Sequence, residues 1–460
     1  PERRRHFCEE EVRLNSRWCD GIYLGVCPVP EGGFDADGPP VDWAVVMQRY
    51  DEADTLRVWV EDGRATPALL EAVGRALAAR QARAPRPEAA RRWASFEAVR
   101  RNALDNFEAT RGTASIPASL HQALEKATID GLDRLRALIT ARAATHAREI
   151  HGDLRVQHTL VRHRDGAPTI DFVDCIEFNE PFRMADPVAD VGFLAMDLAV
   201  RGERRLAGAF VDAWVAASGD TEARQLLPAE RAYRSIVRAK VAELEASGPE
   251  VPAEQRERAG ARARRHWLHA AELLLPPRER PALLALGGLP GSGKSTLAAH
   301  LAEHHGFHWV RADVVRKELA GLDPGDDGSA GFDQGLYRPE HTERTYAECL
   351  SRAVAVVASG GRAVIDASFG ALAHRVQVRR AAIEHGLRPE VWLCTAPAAA
   401  SLARMASRPA GPSDADADVY RRAAQRFADD ETSLRLSTAG SLAQTLARLD
   451  QQLQEVGWAT

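Results

Sequence analysis

The stretch Leu283–Thr296, LLALGGLPGSGKST, restricts the possible folds of this chain more than any other segment. An apolar run suited to a buried parallel strand leads straight into Gly288-Leu289-Pro290-Gly291-Ser292-Gly293-Lys294-Ser295-Thr296, and Leu297 to His304 then read as a helix. Strand, glycine-rich loop and helix in that order make a Walker A phosphate loop. Glycines let backbone N–H groups curl round a phosphate chain without Cβ clashes, Lys294 is placed to reach the β and γ phosphates, and Ser295 to hold Mg²⁺. The helix aims the positive end of its dipole at the same anion. The chain has four lysines, Lys126, Lys240, Lys294 and Lys317, in a Lys and Arg total of 60. A lysine at this position is therefore not background.

A chain of 460 residues exceeds a single core, so two domains are expected, 1–278 and 279–460, divided at the proline-rich, charged Pro276-Pro-Arg-Glu-Arg-Pro281. A net charge of −5 with 27% charged residues is that of an ordinary soluble protein. It lacks the basic excess of a duplex-binding protein, so nucleic acid is not favoured as a partner. Six cysteines lie scattered with no C-x-x-C pair, which suggests neither a zinc site nor a disulfide framework and points to a reducing cytosol. No apolar run reaches the roughly 18 to 20 residues of a membrane span, and Pro1 to Glu11 lacks the apolar core of a secretion signal. The expected location is cytoplasmic.

Along the first half, residues 2 to 16 read as a helix, and Ile22 to Val29 with Trp43 to Tyr50 as a hairpin across a turn-rich connection. From Pro67 to about Ala147 the pattern is amphipathic helix, broken near Pro85 to Pro87 and Gly112 to Pro117. Ile150-His-Gly-Asp153-Leu-Arg-Val-Gln-His158 and Pro168-Thr-Ile-Asp171-Phe-Val-Asp174 imply two short strands with acidic residues at their ends. Such an arrangement suits a general base and a Mg²⁺ ligand for phosphoryl transfer. Loop aspartates most often make turns or caps, and Asp186-Pro-Val-Ala-Asp190 reads as a helix start. From Pro187 to about Leu275 the chain is helical again, with Tyr233, Arg234, Arg238 and Lys240 facing either a pocket or solvent.

His151-Gly-Asp153, Ile-Asp-Phe and Asp186-Pro-x-x-Asp190 together resemble the motifs of the aminoglycoside and choline phosphotransferases, whose fold is similar to that of the protein kinases. The resemblance implies that Asp153 is the catalytic base, Asp174 the metal-binding residue with Asp171 as its competitor, and Asp190 a support for the catalytic loop. It also implies a hinge at Met47 to Asp51 and a helix carboxylate among Glu9, Glu10 and Glu11. Two departures stand out. The family has Asn five residues after the catalytic Asp, where this chain has His158, a poor ligand for a hard cation. No lysine precedes Lys126, so the small-lobe strand bearing the phosphate-pairing lysine is absent from this sequence and the small lobe is incomplete.

In the second half, His308 to Val310 reads as a strand and Asp313 to Leu319 as a helix, which places Asp313 and Arg316 near the ligand crevice of an open α/β sheet. Gly321 to Pro339, rich in Gly and Asp, reads as mobile; Thr342 to Ala358 reads as a helix and Ala363 to Asp366 as an apolar strand. Asp366 stands where a Walker-B-type carboxylate holds the Mg²⁺ shell. Val391 to Cys394 gives a further strand, and Ala398 to Arg408 a helix with Arg404 and Arg408 on one face, suited to closing over ATP phosphates. This half resembles the small P-loop kinases of the polynucleotide-kinase, gluconate-kinase and zeta-toxin group, in which an Asp-x-x-Arg pair like Asp313 and Arg316 activates and positions the acceptor hydroxyl. In the order of its halves the whole chain resembles a bacterial family of fused aminoglycoside-phosphotransferase-like and P-loop kinase proteins.

The expected architecture is thus α/β and α+β in two domains: a kinase-like fold with an incomplete small lobe, then a P-loop NTPase fold with a parallel sheet. The expected activity is transfer of the γ-phosphate of Mg-ATP to the hydroxyl of a small molecule, with the chemistry in the second domain. Polynucleotide 5′-hydroxyl phosphorylation and a nucleotide-binding regulatory role are the alternatives.

Overall fold

The computed structural model describes residues 2–34, 36–164, 167–323, 338–407 and 416–460. Its contacts divide the chain into two compact units, one of Pro1–Arg111 with Glu125–Val241, the other of Gly112–Leu124 with Ala242–Thr460.

In the first unit the helix Glu2–Asn15 precedes an antiparallel hairpin of β1 (Tyr23–Pro30) and β2 (Pro40–Met47). The second strand starts at Pro40, earlier than Trp43, and ends at Met47. A run of helices follows, and its boundaries obey local chemistry. Thr66 accepts the Leu69 amide to cap Pro67–Ala82, with Pro67 in the first turn where no amide is needed. Ser95 caps Phe96–Ala109 in the same way. Ala118–Thr145 completes the run before β3 (Arg148–Glu149), β4 (Thr159–Arg164), β5 (Ala167–Phe172) and β6 (Met184–Ala185). β3 pairs with β6 and β4 with β5, both antiparallel. Ile150 to His158 is not a strand. Gly152 has a φ of +88°, a conformation that ends extended pairing, and the segment is a loop closing in a single 3₁₀ turn, Val156–His158.

The core of this unit is helical. Leu70, Val73 and Leu77 pack with Phe210 and Trp214 of Arg204–Ser218 and with Val188, Val191 and Leu194 of Val188–Val200. Each such side chain contributes about 1.5–3 kcal/mol by leaving water. A buried polar chain crosses this core: Trp214 Nε1 donates to Gln81 Oε1 at 2.8 Å, and Gln81 Nε2 donates to Asp190 at 3.2 Å.

The second unit is built on a five-stranded parallel sheet in the order β11–β10–β7–β9–β8, from β7 (Ala282–Gly288), β8 (Phe307–Arg311), β9 (Arg362–Asp366), β10 (Glu390–Thr395) and β11 (Leu434–Ser437). Every residue of β7 is buried. That matches its unbroken apolar sequence, since a central parallel strand is covered on both faces. Leu284, Leu286, Leu297, Leu301, Trp392 and Trp458 are buried together against this sheet. Strand β11 and the terminal helix Leu442–Glu455, capped by the reciprocal Ser441 and Gln444 bonds, complete it. The parallel order brings the ends of β7, β9 and β8 side by side, with Leu286 opposite Asp366 and Asp366 opposite Arg311. Most of Gly321 to Pro339, residues 324–337, lies outside the described residues. No described helix is long and apolar enough to cross a membrane.

Candidate functional site

At the carboxyl end of β7 the chain turns into the loop Leu289–Gly293 and then the helix Lys294–His305. The glycines are required by their surroundings. Gly288 has a φ of +142°, and a Cβ there would stand 2.6 Å from both the Cys394 carbonyl and Ser292 Oγ. Gly291 has a φ of +72°, and its Cβ would stand 2.3 Å from the Ser401 carbonyl. Contacts that short do not occur between real atoms, so the loop closes only around bare backbone. Ser292 is buried and its Oγ has no hydrogen-bond partner among the described residues. Lys294 Nζ lies 3.5 Å from the Leu289 carbonyl, at the limit of a hydrogen bond.

Two residues brace this loop. Thr438, just beyond β11, donates from Oγ1 to the Ser292 carbonyl at 2.7 Å, and its own amide donates to the Thr395 carbonyl at 2.8 Å. Arg404, on the helix Ala398–Ala406, donates to the Thr438 carbonyl at 2.8 Å and approaches the Gly291 carbonyl at 3.4 Å. Arg404 is therefore seated on the loop itself. Arg408 lies outside the described residues. Nothing in the sequence near Thr438 singled it out, because its role depends on β11 pairing beside β10.

Asp366 ends β9 in a buried position, where Trp309 Nε1 donates to it at 3.3 Å. Burial pushes its carboxyl above the usual range, while Lys294 and a hydrogen bond from Ser295 pull the other way. The Asp366 carboxylate and the Ser295 hydroxyl offer the oxygen donors that a hard divalent cation prefers. Asp313 stands in the first turn of the helix Ala312–Leu319, and its charge reaches both Asp366 and Cys349. Arg316, one turn on, is buried and donates to Thr342 Oγ1 at 3.2 Å. Beyond β9, Phe369 takes a φ of +47°, rare for an aromatic residue. It is held there by a bond from its amide to Tyr346 Oη at 2.9 Å and by Arg375 Nε donating to its carbonyl at 2.7 Å. His374 stacks on Tyr346 with ring centroids 3.8 Å apart.

A second constellation lies in the first unit. Asp190 is fully buried and accepts the amides of His151 at 3.0 Å and Gly152 at 2.9 Å, while Arg234 donates to the Gly152 carbonyl at 3.2 Å. Burial still holds the Asp190 carboxyl above its usual range. The loop that presents Asp153 is thus fastened from two helices. Asp153, His158 and Asp174 each offer a donor atom within 4.8 Å of the others. His158 Nδ1 meets the Asp153 carbonyl at 2.8 Å, and Nε2 lies 3.1 Å from Asp174 Oδ2. Arg155 donates to the Asp153 carboxylate at 2.8 Å.

Asp174, at a φ of +62°, turns out of β5 toward this group. Asp171 does not: it is buried, receives Arg162 Nε at 3.2 Å and accepts the Asp20 amide at 2.9 Å. Of the three consecutive glutamates, Glu9 pairs with Arg5 and Glu10 with Arg13, each at 2.7 Å. Glu11 faces inward, and burial together with the charges of Glu177 and Asp174 raises its carboxyl. Asp186 accepts the Val188 amide at 3.0 Å and Arg142 Nε at 2.7 Å, which fixes the start of the following helix.

Comparison with known proteins finds one family match in each half of the chain. Residues 23–233 match the model of the phosphotransferase enzyme family, and residues 283–429 that of an AAA domain. The chain is 31% identical over 453 residues to protein Rv2004c of Mycobacterium tuberculosis, which covers 95% of this chain and 86% of that one, and equally to Mb2027c of Mycobacterium bovis. Among solved structures, a gluconokinase from Sinorhizobium meliloti is 17% identical with a TM-score of 0.30 over 38% of this chain and 94% of its own. A glucosamine kinase is 17% identical with a TM-score of 0.35 over 57% of this chain and 67% of its own. At those scores neither match bears on substrate. The chain belongs to the family of these mycobacterial proteins, and along it the match to the phosphotransferase enzyme family precedes the match to an AAA domain.

Proposed function

We propose that this phosphotransferase uses its P-loop unit to transfer the γ-phosphate of ATP to a hydroxyl of a small molecule. The observation that supports the reading is the convergence, at the ends of adjacent strands, of a loop closed around bare glycine backbone, a lysine, and a buried carboxylate beside Ser295. Phosphoryl transfer needs positioned charge more than covalent chemistry, and this set of groups supplies it.

In this reading the residues from Gly288 to Thr296 hold the ATP phosphates, through backbone amides and Lys294. Ser295 and Asp366 would hold Mg²⁺, which when bound would neutralise charge developing on the phosphates. Asp313 accepts the proton of the acceptor hydroxyl, and Arg316 positions that acceptor. Arg404 stabilises charge next to the loop, and Arg408 is proposed to act with it. The six cysteines are all unbridged, in keeping with a cytoplasmic location. In the first unit Asp153 is the corresponding candidate base and Asp174 the candidate metal ligand. The Asp153 carboxylate is already engaged by Arg155, which donates to it at 2.8 Å. That contact favours a recognition or regulatory role for the domain over turnover.

The test is ATP consumption by the intact chain against a panel of small hydroxyl compounds and a 5′-hydroxyl oligonucleotide. Stimulation by a small hydroxyl compound supports the proposal. Stimulation by the oligonucleotide alone supports a polynucleotide kinase, and ATP binding without turnover on any acceptor supports a nucleotide-binding regulator.

A further inference from the structure

The helix that follows the phosphate loop ends in a group of imidazoles that the proposed chemistry does not use. His300, His304 and His305 lie in its last two turns, and Asp450 faces them from the terminal helix Leu442–Glu455. His305 is buried and its Nε2 lies 3.1 Å from Asp450 Oδ1. His300 Nε2 lies 4.0 Å from the same oxygen. That second distance is too long for a hydrogen bond, so the group is not a chain of hydrogen bonds. It is three donors gathered round one point, all within 4.8 Å of one another.

We propose that His300, His305 and Asp450 form a divalent-cation site of the kind that takes Zn²⁺, joining the phosphate-loop helix to the terminal helix. A tetrahedral Zn²⁺ with bonds of about 2.0–2.1 Å has neighbouring ligand atoms roughly 3.3 Å apart. The His305 to Asp450 edge has that length already, and His300 has only to close by a side-chain adjustment. Two imidazoles and a carboxylate suit a borderline cation better than Mg²⁺, which asks for oxygen. Burial holds both His300 and His305 below their ordinary imidazole range, with His304 and His300 respectively adding to the effect and Asp450 opposing it. Neutral imidazole is the form that ligates. The site also sits at the negative end of the helix dipole, which favours a cation. Asp450 is half exposed, so solvent reaches the site and water completes the shell. The ring of His304 packs on His300, with centroids 4.4 Å apart, and orients it.

The test is titration of the metal-free full chain with ZnCl₂ by calorimetry, alongside Co²⁺ as a visible-absorption probe. His300→Gln and Asp450→Asn each remove one candidate ligand at a partly exposed position and leave the buried His305 in place. The proposal expects one Zn²⁺ whose affinity falls at least tenfold in each variant and is unchanged in Asp174→Asn, with Co²⁺ ligand-field bands lost in the same two variants. It also expects Zn²⁺ to raise the melting temperature of the wild type and not of Asp450→Asn, reversibly with chelator. No Zn²⁺ binding, or binding equally strong in His300→Gln and Asp450→Asn, overturns it. So does binding lost only in Asp174→Asn, which would place the metal in the first unit.

Discussion

Replacing Gly291 with alanine tests whether the phosphate loop is as tightly closed as its geometry implies. The φ of +72° costs an alanine about 1–2 kcal/mol. The new methyl also meets the Ser401 carbonyl at 2.3 Å and Met405 Cγ at 2.9 Å. A backbone oxygen cannot swing aside, so either the helix Ala398–Ala406 or the loop must shift, at roughly 1–3 kcal/mol for overpacking. The sum, about 2–5 kcal/mol, corresponds to a fall in melting temperature of roughly 5–15 °C for a unit of this size. Gly306→Ala is the control, because its φ is +69° but nothing among the described residues lies within 4 Å of the added methyl. It bears the backbone cost alone, about 1–2 kcal/mol. Calorimetry and titration with a fluorescent ATP analogue read both effects. The expected result is a larger fall in stability for Gly291→Ala, with nucleotide affinity at least ~10-fold weaker, or about 1.4 kcal/mol, and unchanged affinity in Gly306→Ala. Equal melting temperatures and equal affinities in the two variants would refute the reasoning.

Thr438→Val keeps shape but removes the hydroxyl that donates to the Ser292 carbonyl; leaving that carbonyl unpaired costs about 1–3 kcal/mol, and nucleotide titration should show a clear loss of affinity. Asp190→Ala orphans the amides of His151 and Gly152. Calorimetry should show the first unit destabilised by more than about 3 kcal/mol, with ATP turnover by the P-loop unit retained. Burial, helped by the charge of His158, depresses His151 from 6.5 to about 3. Between those values the unfolded chain binds a proton that the folded chain does not, so the stabilising contribution is complete above pH 6.5 and is lost as pH falls toward 3. The slope from this one group is at most about 1.4 kcal/mol per pH unit. Denaturant midpoints between pH 6.5 and 5 should fall more steeply for the wild type than for His151→Gln.

The parts of the molecule that could be read in the sequence were those set by neighbouring residues. The β7 strand, the glycine loop and the following helix form one continuous local pattern, and the apolar β9 ends at Asp366 as its sequence implies. The helical pattern expected from Pro67 likewise begins there, with Thr66 as its cap. What stayed hidden depended on chain segments far apart. Thr438 reaches the phosphate loop across 146 residues of sequence, and only the placing of β11 beside β10 puts it there. The choice between Asp171 and Asp174 rested on whether β5 continued or turned. The positive φ at Asp174 turns that residue toward Asp153, while Asp171 is taken up by Arg162 and the Asp20 amide. The segment from Ile150 to His158 was expected to contribute a short strand. Its shape is set by Asp190, which lies on another helix.

The most direct test of where the chemistry lies is ATP consumption by the intact chain, by Lys294→Ala and by Asp153→Ala, each with a pool of hydroxyl compounds. Activity abolished in Lys294→Ala and kept in Asp153→Ala is the result this account predicts. Activity kept in Lys294→Ala and lost in Asp153→Ala would contradict it and assign the reaction to the kinase-like unit.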